Sequence, residues 1–138
     1  MRKALSQHSV EFTVPFHDTD AMQVVWHGNY LKYFEIAKDA LFAELGLDLV
    51  GFFTKTGFLF PVIRTTTKHI FPLRYSDRFR CTASMVECRR KIAVDFEIRL
   101  VDDDTLCARG TCEQVAVRSD DFCLQLSIPE EIRRVLEG

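Results

Sequence analysis

Between positions 17 and 30 the chain reads His17-Asp18-Thr19-Asp20-Ala21-Met22-Gln23-Val24-Val25-Trp26-His27-Gly28-Asn29-Tyr30, the densest run of reactive side chains in the sequence. A carboxylate can activate water or attack an electrophile itself, and an imidazole can orient or shuttle a proton near neutral pH. A helix start adds unpaired N–H groups and a positive dipole end, where an anionic oxygen can be held. These are the parts that acyl transfer needs, because a carbonyl oxygen becomes an oxyanion during the reaction. An isolated Asp-x-Asp before a helix, however, is ordinary turn and capping chemistry. His27, seven residues after Asp20 and next to Trp26, is either a group that acts on water or a carbonyl oxygen or a packed interface residue. His17 reads as packing or capping, and His8 and His69 carry no motif.

The elements that must position this run are legible on both sides of it. Val10, Phe12, Val14 and Phe16 alternate with Glu11, Thr13 and Pro15, which predicts a strand over 10–16 with one buried face and Pro15 marking an edge or end. Tyr30, Leu31, Tyr33, Phe34, Ala37, Leu41 and Leu45 recur at three- and four-residue spacing, which predicts a helix over 30–45, with Asn29 the best N-cap and Gly46 the stop. So wide an apolar arc needs a sheet around it. Segments 58–74, 78–88, 92–101 and 106–117 are rich in Val, Ile, Phe and Thr and are parted by turns at Tyr75-Ser76-Asp77, Arg89-Arg90-Lys91 and Asp102-Asp103-Asp104. Short turns imply antiparallel neighbours. Ser127-Ile128-Pro129-Glu130 has capping-box spacing and opens a terminal helix to Leu136. The result is an α+β layer pair, a single domain over 1–138, whose open sheet edge calls for a covering partner.

Composition narrows the function classes. A formal charge of -2 without a basic stripe argues against a nucleic-acid binder, while small anionic ligands remain possible. No apolar run approaches the roughly 20 residues of a spanning helix, so no membrane span is expected. Met1-Arg2-Lys3 is followed by no apolar run, so a secretory signal is not expected either. Five cysteines without a Cys-x-x-Cys pair suit a reduced, cytoplasmic chain better than a disulfide framework or zinc knuckle. The histidines and cysteines have no metal-ligand spacing, and no metal or other cofactor is implied.

Asp18-Thr19-Asp20, Val24-Val25, Trp26 and Gly28-Asn29-Tyr30 together resemble the signature of the hotdog-fold acyl-CoA thioesterases, in particular the 4-hydroxybenzoyl-CoA thioesterase branch. The likeness extends through the helix to the basic turn, although only the first motif is specific. The resemblance implies a hotdog fold, a curved antiparallel sheet wrapped around a long central helix. It implies hydrolysis of an acyl-CoA, or acyl-carrier-protein, thioester to the free acid and the thiol. Asp20 is then the nucleophile or general base, and the helix N-terminus near His27-Gly28 polarises the carbonyl through the His27 amide, with the His27 side chain as a second catalytic candidate. Asp18 stays structural. Gln23, Val25, Trp26, Gly28 and Asn29 become candidate substrate contacts, as do Arg90 and Lys91 through the coenzyme A phosphates, unless Arg89-Arg90-Lys91 is simply a solvated turn. The resemblance further implies a homodimer or homotetramer with sites between subunits. One departure stands out: many members carry glycine where this chain has Gln23, so Gln23 either keeps an ordinary backbone conformation or turns its amide to the site.

Two other uses of the scaffold are open, a hydratase or dehydratase acting on acyl thioesters and a non-catalytic acyl-CoA binder. The local motif of the dehydratase branches is absent, which favours hydrolysis. A 47% hydrophobic chain with twelve phenylalanines permits an aromatic or a medium-chain acyl pocket. Phe58, Phe60 and Phe71 are core or pocket residues that sequence does not separate.

Overall fold

The computed structural model describes residues 3–137, so Met1, Arg2 and Gly138 of the expected unit, with the start of the segment read for a signal, lie outside the described residues. In chain order the elements are β1 (Ser6–Thr13), α1 (Asn29–Leu45), α2 (Leu49–Thr56), β2 (Phe58–Leu59), β3 (Val62–His69), β4 (Arg78–Glu87), β5 (Ile92–Leu100), β6 (Leu106–Gln114), β7 (Val117–Arg118) and α3 (Glu130–Glu137). A 3-10 turn, Phe16–Asp18, follows β1. Five strands make one antiparallel sheet in the order β1-β4-β5-β6-β3, and β2 pairs with β7 in a separate ladder.

Period-two patterning explains the layer arrangement. Phe79, Cys81, Ala83 and Met85 on β4, and Ile92, Val94, Phe96 and Ile98 on β5, are buried on one face. Arg80, Glu97, Arg99 and Arg109 alternate with such residues on the other. Helix α1 lies on the apolar face and buries Tyr30, Tyr33, Phe34, Ala37 and Leu41 there. Phe34 stacks on Phe96 at 4.6 Å, and Gly110 permits this, because a Cβ at that position would lie 2.3 Å from Phe34 Cε2 and 2.8 Å from the Thr66 carbonyl. The helix's apolar arc is wider than the sheet it covers: Leu31 and Ile36 remain 45% and 43% exposed. Lys38 shows the opposite departure, being buried with its Nζ donating to Gln114 Oε1 at 3.0 Å and paired with Glu35 at 3.1 Å.

The structure departs from the sequence reading at several boundaries. The expected strand over 58–74 breaks into β2, β3 and an irregular crossing, since Pro61 and Pro72 have no N–H to give a ladder. Helix α2 was not anticipated, although its signals are present: the Asp48 carboxylate accepts the Gly51 N–H at 2.9 Å, and Gly57 ends it at φ +81. Strand 106–117 stops at Gln114, β1 stops at Thr13 before Pro15, and the last helix starts at Glu130. Strand β3 is exposed along nearly its whole length, with Ile63 57% exposed, and its outer edge pairs with no described strand.

Candidate active site

The reactive run folds into a small hairpin clamped between α1 and the segment after β3. Thr19 bridges Val25, the Asp20 N–H donates to the Val24 carbonyl at 2.9 Å, and the Gln23 N–H donates to the Asp20 carbonyl at 2.9 Å. Closing a three-residue loop this way needs a left-handed residue, and Gln23 supplies it at φ +68. The ordinary conformation considered for Gln23 is therefore not adopted; the position keeps its glycine-like backbone and carries a side chain as well. The second arm docks outward, with the Val25 N–H donating to the Leu73 carbonyl at 2.8 Å and Val24 bridging Arg74.

Asp18 ties the hairpin to the helix. Its buried carboxylate accepts from Lys32 Nζ at 2.7 Å and from the Tyr33 hydroxyl at 2.6 Å. Its carbonyl accepts from the Trp26 N–H at 3.0 Å and from Asn29 Nδ2 at 2.9 Å. Burial alone would raise the Asp18 pKa, but the hydrogen bonds from Lys32 and Tyr33 and the Lys32 charge outweigh it and hold the carboxyl below its ordinary value. Burial, and then the neighbouring Asp18 carboxylate, push the Tyr33 phenol upward.

The helix begins one residue earlier than capping chemistry suggested. Gly28, not Asn29, is the N-cap, because the Asn29 amide is spent on the Asp18 carbonyl and the backbone there is already helical. Glycine at 28 leaves room for the Trp26 ring to lie over it, since a Cβ would fall 2.2 Å from that ring. The N–H groups of His27 and Gly28 have no acceptor among the described residues, which leaves two donors at the positive end of α1.

Two clefts meet at Asp20. The inner one, about 340 Å³, runs from Asp20 and His27 along Val25 and Tyr30 to His69 and Phe71. The outer one, about 560 Å³, is lined by Phe16, Thr19, Asp20, Gln23, Arg74 and Tyr75. Asp20 Oδ1 accepts the Met22 N–H at 2.9 Å, an Asx turn, while Oδ2 has no partner among the described residues. The turn role and a reactive role thus use different oxygens.

Of the residues singled out from sequence, Asp20, Val25 and His27 border the inner cleft and Gln23 the outer one, whereas Trp26, Gly28 and Asn29 line neither and shape the helix entry. Arg90 and Lys91 are not brought to Asp20 within this chain. They lie in the β4–β5 turn, at the opposite end of β4 from Arg78, and a ten-residue strand spans about 30 Å. Lys91 Nζ is paired with Glu113 at 2.9 Å, while Arg90 is exposed. Sequence reasoning missed His69, Ile70 and Pro72 as cleft residues and left Phe71 as a core or pocket aromatic. The aromatic-proline dipeptide Phe71-Pro72 was the available signal, since it ends a strand and projects its neighbours from the sheet. Phe71 is a cleft residue, and Phe58 and Phe60 pack around Phe52 at 6.2 and 6.0 Å.

The chain's residues 14–136 match the model of the thioesterase-like superfamily. A 1,4-dihydroxy-2-naphthoyl-CoA hydrolase of Thermosynechococcus vestitus is 32% identical over 114 residues, 83% of this chain and 73% of that protein. Among solved structures, a 1,4-dihydroxy-2-naphthoyl-CoA thioesterase from Synechocystis superposes with a TM-score of 0.84 at 18% identity, over 95% of this chain and 96% of that one. The 4-hydroxybenzoyl CoA thioesterase from Pseudomonas sp. strain CBS-3 does so with a TM-score of 0.81 at 18% identity, over 94% and 98%. The chain belongs to the thioesterase-like superfamily and has its hotdog fold.

Proposed function

We propose that the chain hydrolyses an acyl-CoA thioester to the free acid and coenzyme A. The observation that carries this reading is the placement of Asp20 and His27 on one cleft at the start of α1, with N–H groups on His27 and Gly28 that have no acceptor among the described residues. As nucleophile, Asp20 forms a carboxylate–acyl bond as the C–S bond breaks; water then cleaves the mixed anhydride and the thiolate takes up a proton. As general base, Asp20 takes a proton from water, which adds to the carbonyl; collapse expels the thiolate, which receives that proton. Either route passes through an oxyanion suited to the helix N-terminus. The His27 imidazole stands where it can orient water or thioester. The relatives named as hydrolases or thioesterases of aromatic acyl-CoA compounds support this class of reaction.

The reading includes assembly as a homodimer through β3, alone or as the unit of a tetramer, supported by that strand's open edge and exposed faces. Ile92 pairs with Gln114 and Gln114 with Val62, so the Arg89-Arg90-Lys91 turn sits at the Val62 end of β3. Antiparallel pairing of two copies would set the Val62 end of one beside the His69 end of the other. The basic turn of the second copy would then approach this chain's cleft, where Arg90 and Lys91 could meet nucleotide phosphates. The substrate is thus an acyl-CoA, with an acyl carrier protein thioester as the other carrier to assay. Five free thiols, with burial pushing Cys81 up to about 12 and Cys107 to about 11, suit a reducing compartment such as the cytoplasm. No described helix is long and apolar enough to cross a membrane.

Thiol release from a panel of acyl-CoA and carrier-protein thioesters tests the reading. Asp20→Asn should lower turnover by at least about a hundredfold with folding intact. Unchanged turnover in that variant would remove Asp20 from the mechanism, and no thiol release from any thioester would leave a binder.

A further inference from the structure

His69 was assigned no role by its sequence context, yet β3 carries it into the inner cleft. Its register partner is Ala108, which is fully buried, so His69 shares the α1-facing side of the sheet. Its ring stands edge-on to Tyr30 at 4.6 Å and lies 6.4 Å from the His27 ring. Tyr30 itself offers the cleft little polarity, since its ring is buried. Beyond Asp20 and His27 the walls are otherwise Met22, Val24, Val25, Ile70, Phe71 and Pro72, all apolar. Neither ring nitrogen of His69 has a hydrogen-bond partner among the described residues. Packing against Tyr30 would be served equally by phenylalanine, so the nitrogens are what remain to be explained.

We propose that His69 is a specificity-determining residue, hydrogen-bonding a polar substituent, a hydroxyl or carboxylate, on an otherwise apolar, flat acyl group held against Tyr30 and Phe71. This rests on the thioesterase reading, with Asp20 and the helix start engaging the thioester and His69 left to meet the acyl arm. A site that bonds a substrate hydroxyl rejects the analogue lacking it far more strongly than a purely apolar pocket can.

The test compares benzoyl-CoA with hydroxybenzoyl-CoA isomers and carboxybenzoyl-CoA on wild type, His69→Phe and His69→Gln. Wild type should favour at least one substituted substrate in kcat/KM, and His69→Phe should cut that preference at least about tenfold, with His69→Gln restoring part of it. The same ratios read as dissociation constants on an Asp20→Asn background give an arm independent of turnover. If wild type shows no preference, or its preference survives in His69→Phe, the proposal is overturned while the thioesterase reading stands. If wild type hydrolyses none of these thioesters, that reading is in question for aromatic substrates, and the binding ratios alone decide the role of His69. Should His69→Phe fold poorly, His69→Gln against wild type carries the comparison.

Discussion

Asp18 and Asp20 are two residues apart and have opposite surroundings. The first is buried under two charge-assisted or hydroxyl donors, and the second keeps one oxygen open to a cleft. Because the folded-state pKa of Asp18 lies below its ordinary value, the stability it supplies is present above about pH 4 and is lost as pH falls through the depressed value. Asp18→Asn should therefore destabilise by about 2 kcal/mol near neutral pH, with the difference from wild type narrowing in acid; denaturant titrations at pH 7 and pH 3 check both parts. A gap that widened in acid would contradict the assigned sign. Gln23 is the other residue under local constraint. Gln23→Gly should raise stability by up to about 1 kcal/mol by relieving the left-handed backbone, while removing a side chain from the outer cleft. The same melts, read beside KM for a bulky thioester, separate the two effects.

At the scale of elements, α1 is pressed to the sheet by one missing side chain and held by one buried cation. Gly110→Ala must displace Phe34 or the Thr66 carbonyl, so we expect a loss of about 1–3 kcal/mol and a disturbed Phe34–Phe96 stack, visible in aromatic NMR shifts. Lys38→Ala would open a hole under α1 and leave Gln114 Oε1 without its donor, although Gln114 Nε2 keeps the Phe60 carbonyl at 2.8 Å. A loss of about 2–3 kcal/mol is expected by equilibrium unfolding, and a neutral result would mean that water replaces the ammonium.

For the whole molecule, the open β3 edge and the distance between Asp20 and the basic turn both bear on the proposed assembly. If two copies join across β3, dilution below the dissociation constant should abolish activity together with dimerisation, followed by light scattering beside the assay. A fully active monomer would defeat the shared site. Arg90→Ala should weaken coenzyme A thioesters more than pantetheine thioesters, since only the former carry nucleotide phosphates. Lys91→Ala should do less, because Lys91 is already held by Glu113.

Local patterning determined the parts of this protein. Alternation in β1, the Val, Ile, Phe and Thr content of β4 and β5 between short turns, the three- and four-residue spacing of α1, and the Asp18 to Tyr30 run each express short-range rules, and they were legible for that reason. Helix α2 follows the same rules, with Asp48 and Gly57 bracketing it, but at eight residues it is too short to show a sustained apolar period. What tertiary structure decided depended on residues distant in sequence meeting in space. Only the β3–β6 register brings His69 to Tyr30, only the Val25–Leu73 contact turns Phe71 and Pro72 into a cleft wall, and only the antiparallel run of β4 parts Arg90 from Asp20. A side chain's chemistry is written in its own residue, whereas its partners are set by which strands pair and where a helix lands on them.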